Sequence, residues 1–201
     1  MRMQRWALVT CLVGCATQGV TSEPQMAGLG ETVHSTARMT AHVPVHAARP
    51  AVPAEIAVPE DHKIVLVALA RGVQIYDCVA EPGDVLAWKL HAPRAELFDD
   101  AGMLIGTHFG GVDKDLPPGP YWESKDGSRV HAGKPASAPN TGSIPLLRLE
   151  ADETSGIGVF SKVSFVQRLD TTGGGAPEGA CTTGKPTEVP YTATYYFYAA
   201  P

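Results

Sequence analysis

From Pro59 to Pro201 the apolar residues fall in short runs broken by Gly, Pro and Asp, and where a period is visible it is two. Val73, Ile75, Asp77 and Val79 alternate with Gln74, Tyr76 and Cys78, which places the two sets on opposite faces of a strand. A continuous apolar run at 64–70 precedes them, and Arg71-Gly72 between the two reads as a turn or bulge. Another run at 85–90 follows Pro82-Gly83-Asp84. Segments 95–98 and 103–109 flank Asp99-Asp100-Ala101-Gly102, and segments 121–124 and 128–132 flank Lys125-Asp126-Gly127; both are hairpin patterns. Runs at 143–150, 158–169 and 189–199 complete the series, the last dense in the strand formers Tyr and Thr. No stretch of helical length carries an apolar stripe free of Gly and Pro. The expected domain, 59–201, is therefore all-β: an antiparallel β-sandwich or barrel-like fold of about ten short strands.

The residues before 59 follow a different logic. Arg2 and Arg5 precede an apolar stretch at 6–14, too short for the roughly 20 residues of a membrane-spanning helix. A basic start, a short apolar run and a small residue before the cut form the layout of a secretory signal. Leu12-Val13-Gly14-Cys15 resembles the bacterial lipobox. That resemblance implies a signal peptide at 1–14, cleavage before Cys15 and a diacylglyceryl group on its thiol. The expected partner is then a membrane, engaged through acyl chains. Ala16, where an Asp commonly marks inner-membrane retention, favours the outer membrane of a bacterial envelope. Residues 15–58 are rich in Ala, Thr, Val and Pro without lasting periodicity and read as a flexible linker, with a reach of roughly 35–40 Å. His34, His42 and His46 lie there; the spacing of the last two would suit a metal on a helix, but Pro44 stands between them.

Charge and cysteines narrow the functional classes. With 21 acidic and 16 basic residues and no basic run, the chain has no electrostatic footprint for nucleic acid. Of four cysteines, Cys11 falls in the signal and Cys15 is the lipid site, which leaves Cys78 and Cys181. In an oxidising compartment they are expected to form a disulfide closing a loop on the order of 100 residues; the competing reading makes one a nucleophile.

The order of several pieces resembles the secreted family known as domain of unknown function 3455. They include Gly72-Val73-Gln74-Ile75-Tyr76-Asp77-Cys78, Trp88, Gly106-Thr107-His108, Trp122, Asp126-Gly127-Ser128, Gln167-Arg168, Cys181 and Tyr195-Tyr196-Phe197-Tyr198. The resemblance spans nearly the whole domain and implies export but no activity. A longer loop at 110–119 and Tyr121 before Trp122 depart from the family pattern.

For chemistry, the richest constellation is His108, Trp122, Asp126, Ser128 and His131. Gathered in one cleft they would bind a ligand; His108 with Asp126 would serve acid–base work, and His108 with His131 and a carboxylate would hold a metal. The competing reading is architectural: Asp126-Gly127 as a hairpin turn, Trp122 as core and His108 as a hydrogen-bonded partner. No G-x-S-x-G elbow is present, and the glycine run at 171–177 lacks the Lys-Ser/Thr ending of a phosphate loop, so no cofactor is expected. The expected function is a non-catalytic envelope lipoprotein that binds a glycan, a small ligand or an envelope protein. The alternative is an exported hydrolase or metal-binding enzyme using His108 and Asp126.

Overall fold

The computed structural model describes residues 47–114 and 116–201. Eight antiparallel strands, each paired with its neighbours in sequence, close on themselves as β8 pairs with β1. They are β1 (Lys63–Glu81), β2 (Val85–Phe98), β3 (Leu104–Gly110), β4 (Pro120–Ser124), β5 (Arg129–Ala138), β6 (Leu146–Ser155), β7 (Val163–Gly173) and β8 (Thr187–Ala199). The expected all-β, barrel-like fold is thus a closed up-and-down barrel.

Eight strands replace the expected ten because two supposed breaks are bends. Gly72 lies inside one long β1, paired with Ala95; a Cβ there would overlap the Arg94 carbonyl oxygen, so glycine lets β1 press against β2. Ala92-Pro93 likewise lies within β2 beside a bulge at Ile75/Tyr76, where proline is tolerated. Both expected hairpins form. Gly102 N–H donates to the Asp99 carbonyl at the β2–β3 turn, and Gly127 N–H to that of Ser124 at the β4–β5 turn.

Pleating sends alternate residues into the lumen. On β1 these are Leu66, Ala68, Ala70, Gln74, Tyr76 and Cys78, all buried, so of the two faces read from the alternation the interior one is that of Gln74, Tyr76 and Cys78 rather than the more apolar Val73, Ile75 and Val79. The half of the barrel holding the β2–β3, β4–β5 and β6–β7 turns is packed solid with Leu66, Leu97, Val130, Val166, Phe160 and Phe197. At the other end Cys78 and Cys181 form the expected disulfide, tying β1 to the β7–β8 connection.

Residues 49–58, at the end of the segment read as linker, lie against the outside of the barrel. Ile56 packs on Ala138 and Leu169, Gln167 donates from Nε2 to the Ile56 carbonyl at 2.6 Å, and Arg49 donates to the Val58 carbonyl at 3.0 Å. Cys15 and the histidines at 34, 42 and 46 lie outside the described residues.

Candidate functional site

The unfilled half of the lumen holds a cavity of about 290 Å³. Seven of the eight strands give it an inward side chain: Gln74 from β1, Pro93 from β2, His108 from β3, Trp122 from β4, Leu147 and Leu149 from β6, Arg168 from β7 and Tyr195 from β8. The register brings these distant residues together. His108 is paired with Trp122 and Ala95, and Arg168 with Leu147 and Tyr195. The mouth is framed by Leu90, His91, Val112, Pro118 and Pro135.

Aromatic rings make the floor. The His108 imidazole stacks on Trp122 with centroids 4.4 Å apart and planes 10° apart. Tyr195 meets both edge-on, at 5.1 Å and 5.4 Å. Beyond Trp122, Phe197 and Phe160 continue into the packed half.

His108 is 2% exposed. Its Nδ1–H donates to the Tyr121 carbonyl at 2.8 Å, which fixes the tautomer and leaves Nε2 as an acceptor. Burial pulls its pKa down to about 3, and the nearby Arg168 charge adds to this against the hydrogen bond from the ring. The ring is therefore neutral at physiological pH, far from the range in which an imidazole exchanges protons efficiently.

Arg168 carries a fixed charge in this cavity. Its Nη2 and Nε donate to the Pro145 carbonyl at 2.9 and 3.3 Å, and among the described residues no carboxylate pairs with it. No Asp or Glu lines the cavity among the described residues. Two further donors there, Gln74 Nε2 and Trp122 Nε1, are buried without a partner. At the mouth, His91 bridges Asp77 at 2.8 Å and Asp113 at 3.1 Å; the hydrogen bond to Asp113 leads in raising its pKa.

The five residues of the sequence constellation separate. His108 and Trp122 share the cavity. Asp126 and Ser128 sit at the closed end, knitting the β4–β5 turn to the loop before β7. Asp126 Oδ1 accepts from the Ser128 hydroxyl at 2.6 Å and Oδ2 from Val159 N–H at 2.8 Å, while Ser128 Oγ accepts from Phe160 N–H at 3.0 Å. A Cβ on Gly158 would strike this carboxylate. Burial raises the Asp126 pKa, but these hydrogen bonds outweigh it and hold the carboxyl below its ordinary value. His131 lies on the outer face, bonded through Nδ1 to Asp152 Oδ1 at 2.5 Å and packed on Tyr121 at 4.4 Å. His108 thus has neither Asp126 nor His131 beside it. Among the described residues no group of three His, Cys, Asp or Glu side chains is placed to hold a metal.

Gln74, Arg168, Leu149 and Tyr195 were not among the expected site residues. A signal existed for Gln74, which shares a face with Tyr76 and Cys78 and is buried with them. Arg168 stood out only as part of the Gln167-Arg168 pair of the family resemblance; its inward direction follows from register with β6 and β8.

A second hollow, about 670 Å³, is an open surface groove whose charges, among them Arg71, Arg94, Glu96 and Glu123, are of mixed sign. The lumen, by contrast, has no carboxylate in its lining among the described residues.

These features define the class: a closed antiparallel barrel, solid at one end and hollow at the other. Residues 59–199 match the family described as protein of unknown function DUF3455, and the chain belongs to that family. No curated protein and no solved structure matches the chain.

Proposed function

We propose that the chain is an exported protein, held in the bacterial envelope by a lipid on Cys15, whose barrel binds a small molecule in its lumen without transforming it. One observation carries this reading: a cavity of about 290 Å³ lined by Gln74 and Trp122, whose side-chain N–H donors are buried and unpartnered. Buried donors are nearly always satisfied, and the residues that carry these two unsatisfied ones both line the cavity, where a ligand acceptor would complete them. The volume sits at the lower edge of the range for small-molecule sites, roughly 300–1,000 Å³. The lipobox-like Leu12-Val13-Gly14-Cys15 and the Cys78–Cys181 disulfide support an exported location.

The test is a thermal-shift series on the full chain with small acids, amides, alcohols and short glycans, beside a Leu149→Trp variant that fills the cavity. A ligand at a hundred times its Kd adds about 2.7 kcal/mol, or roughly 5–10 °C in Tm for a domain of this size. The gain should vanish in Leu149→Trp. Silence across the series, or equal shifts in both proteins, refutes the lumen reading. For the anchor, Cys15→Ser should abolish labelling by a radioactive fatty acid and move the protein from the membrane to the soluble fraction.

A further inference from the structure

Resting on the lumen reading, we infer that the ligand is a small monocarboxylate with an apolar body about the size of one aromatic ring, its carboxylate bound by Arg168.

The fixed charge in the cavity, Arg168, only donates. A guanidinium has five N–H groups; Arg168 turns Nη2 and Nε toward the Pro145 carbonyl, and no carboxylate among the described residues pairs with it. Gln74 and Trp122, each 1% exposed, line the same cavity and carry the buried donors Nε2 and Nε1 without a partner. An ionised carboxylate only accepts, and its two oxygens match a guanidinium edge.

Charge selects among anions. Arg168 brings one positive charge to the lumen, and the imidazole facing it is neutral. A monoanion matches the single charge of Arg168, whereas a phosphate dianion would leave a negative charge uncompensated beside the apolar wall. The rest of the wall, Pro93, Leu147, Leu149 and the Trp122 face, offers apolar contact to a compact body. At the mouth Leu90 and Val112 are exposed at 53% and 47%, continuing the apolar path outward.

Benzoate, benzamide and phenyl phosphate have one body and three head groups. Each is titrated by calorimetry into the full chain carrying Cys15→Ser, so that neither lipid nor detergent competes for the cavity. Benzoate is expected to bind saturably at one site, with benzamide at least roughly tenfold weaker, the scale of a hydrogen bond to a charged group. Arg168→Gln should bring benzoate to the benzamide level and leave benzamide unchanged. The benzoate–benzamide comparison on unsubstituted Arg168 needs no variant to fold. Equal affinity for benzoate and benzamide, or benzoate binding indifferent to Arg168→Gln, overturns the carboxylate assignment while the lumen stands as a site. Tighter binding of phenyl phosphate overturns it in favour of a dianion. Failure of all three, with no ligand distinguishing the cavity from its Leu149→Trp form, removes the lumen reading as well.

Discussion

Gln74→Leu should stabilise the protein while weakening ligand binding, a pairing with few explanations other than a site held open at a cost. Gln74 is 1% exposed, and its Nε2 has no hydrogen-bond partner. A buried donor without a partner carries a penalty of about 1–3 kcal/mol. Leucine is of similar size and fills the same space without that donor, so the net gain should be roughly 1–2 kcal/mol once imperfect repacking is allowed for. At about 2–4 °C per kcal/mol for a domain of this size, Tm should rise by some 2–8 °C. Thermal unfolding followed by circular dichroism on the ligand-free Cys15→Ser chain measures it, and titration of the same sample with benzoate measures the loss of affinity. A Tm that falls by more than about 2 °C would mean that the amide is satisfied in the empty protein, and the case for an open donor would fail.

Two further substitutions probe the frame. Replacing Cys78 and Cys181 by Ser removes a link across 103 residues; chain entropy gives about 4.7 kcal/mol for such a loop, and a loss of roughly 2–5 kcal/mol is expected in urea unfolding. A loss below about 1 kcal/mol would show that the bridge constrains little. Asp126→Ala should cost roughly 1–2 kcal/mol at pH 7, a figure reduced for solvent screening of an exposed carboxylate. Because the folded pKa lies below the ordinary 3.8, the contribution is complete above that value and lost as pH falls through the folded pKa. The Tm gap between Asp126→Ala and the parent should therefore close on acidification toward pH 3 or below; a gap independent of pH would deny the carboxylate its role.

Much of this was legible in the chain. Period-two alternation at 73–79 shows a strand with two faces but not which is buried, since the outward set Val73, Ile75 and Val79 is the more apolar, while Asp99-Asp100-Ala101-Gly102 and Lys125-Asp126-Gly127 announce their turns. Gly72 and Pro93 misled because a break and a bend use the same residues; only pairing partners distinguish them. Closure of β8 on β1 depends on cumulative twist and stagger, which no local pattern records. The constellation around His108 was half legible for the same reason. His108 and Trp122 meet because adjacent hairpin strands have a short-range register. Asp126 and Ser128 are near Trp122 in sequence, but a strand advances about 3.3 Å per residue, so the turn lies at the far end. His131 fails by parity: it pairs with Tyr121, which faces outward, whereas its neighbour Val130 pairs with Trp122 and faces in.

The contrast between the barrel's two halves bears on what the cavity is for. One half is filled by Leu97, Val130, Val166 and Phe197, the solution expected if stability alone governed inward positions. Across the Trp122 layer the same alternation places Gln74, His108 and Arg168 inward. Stability does not select these residues there: apolar side chains of similar volume would spare the lumen a guanidinium without a carboxylate and two buried donors without partners. Nor is the polar half loosely made. His108 is locked flat on Trp122 by its bond to the Tyr121 carbonyl, and Arg168 is aimed by Pro145. On the proposed binding reading, this rigid placement is preorganisation: the ordering cost is met in folding, before an acceptor arrives.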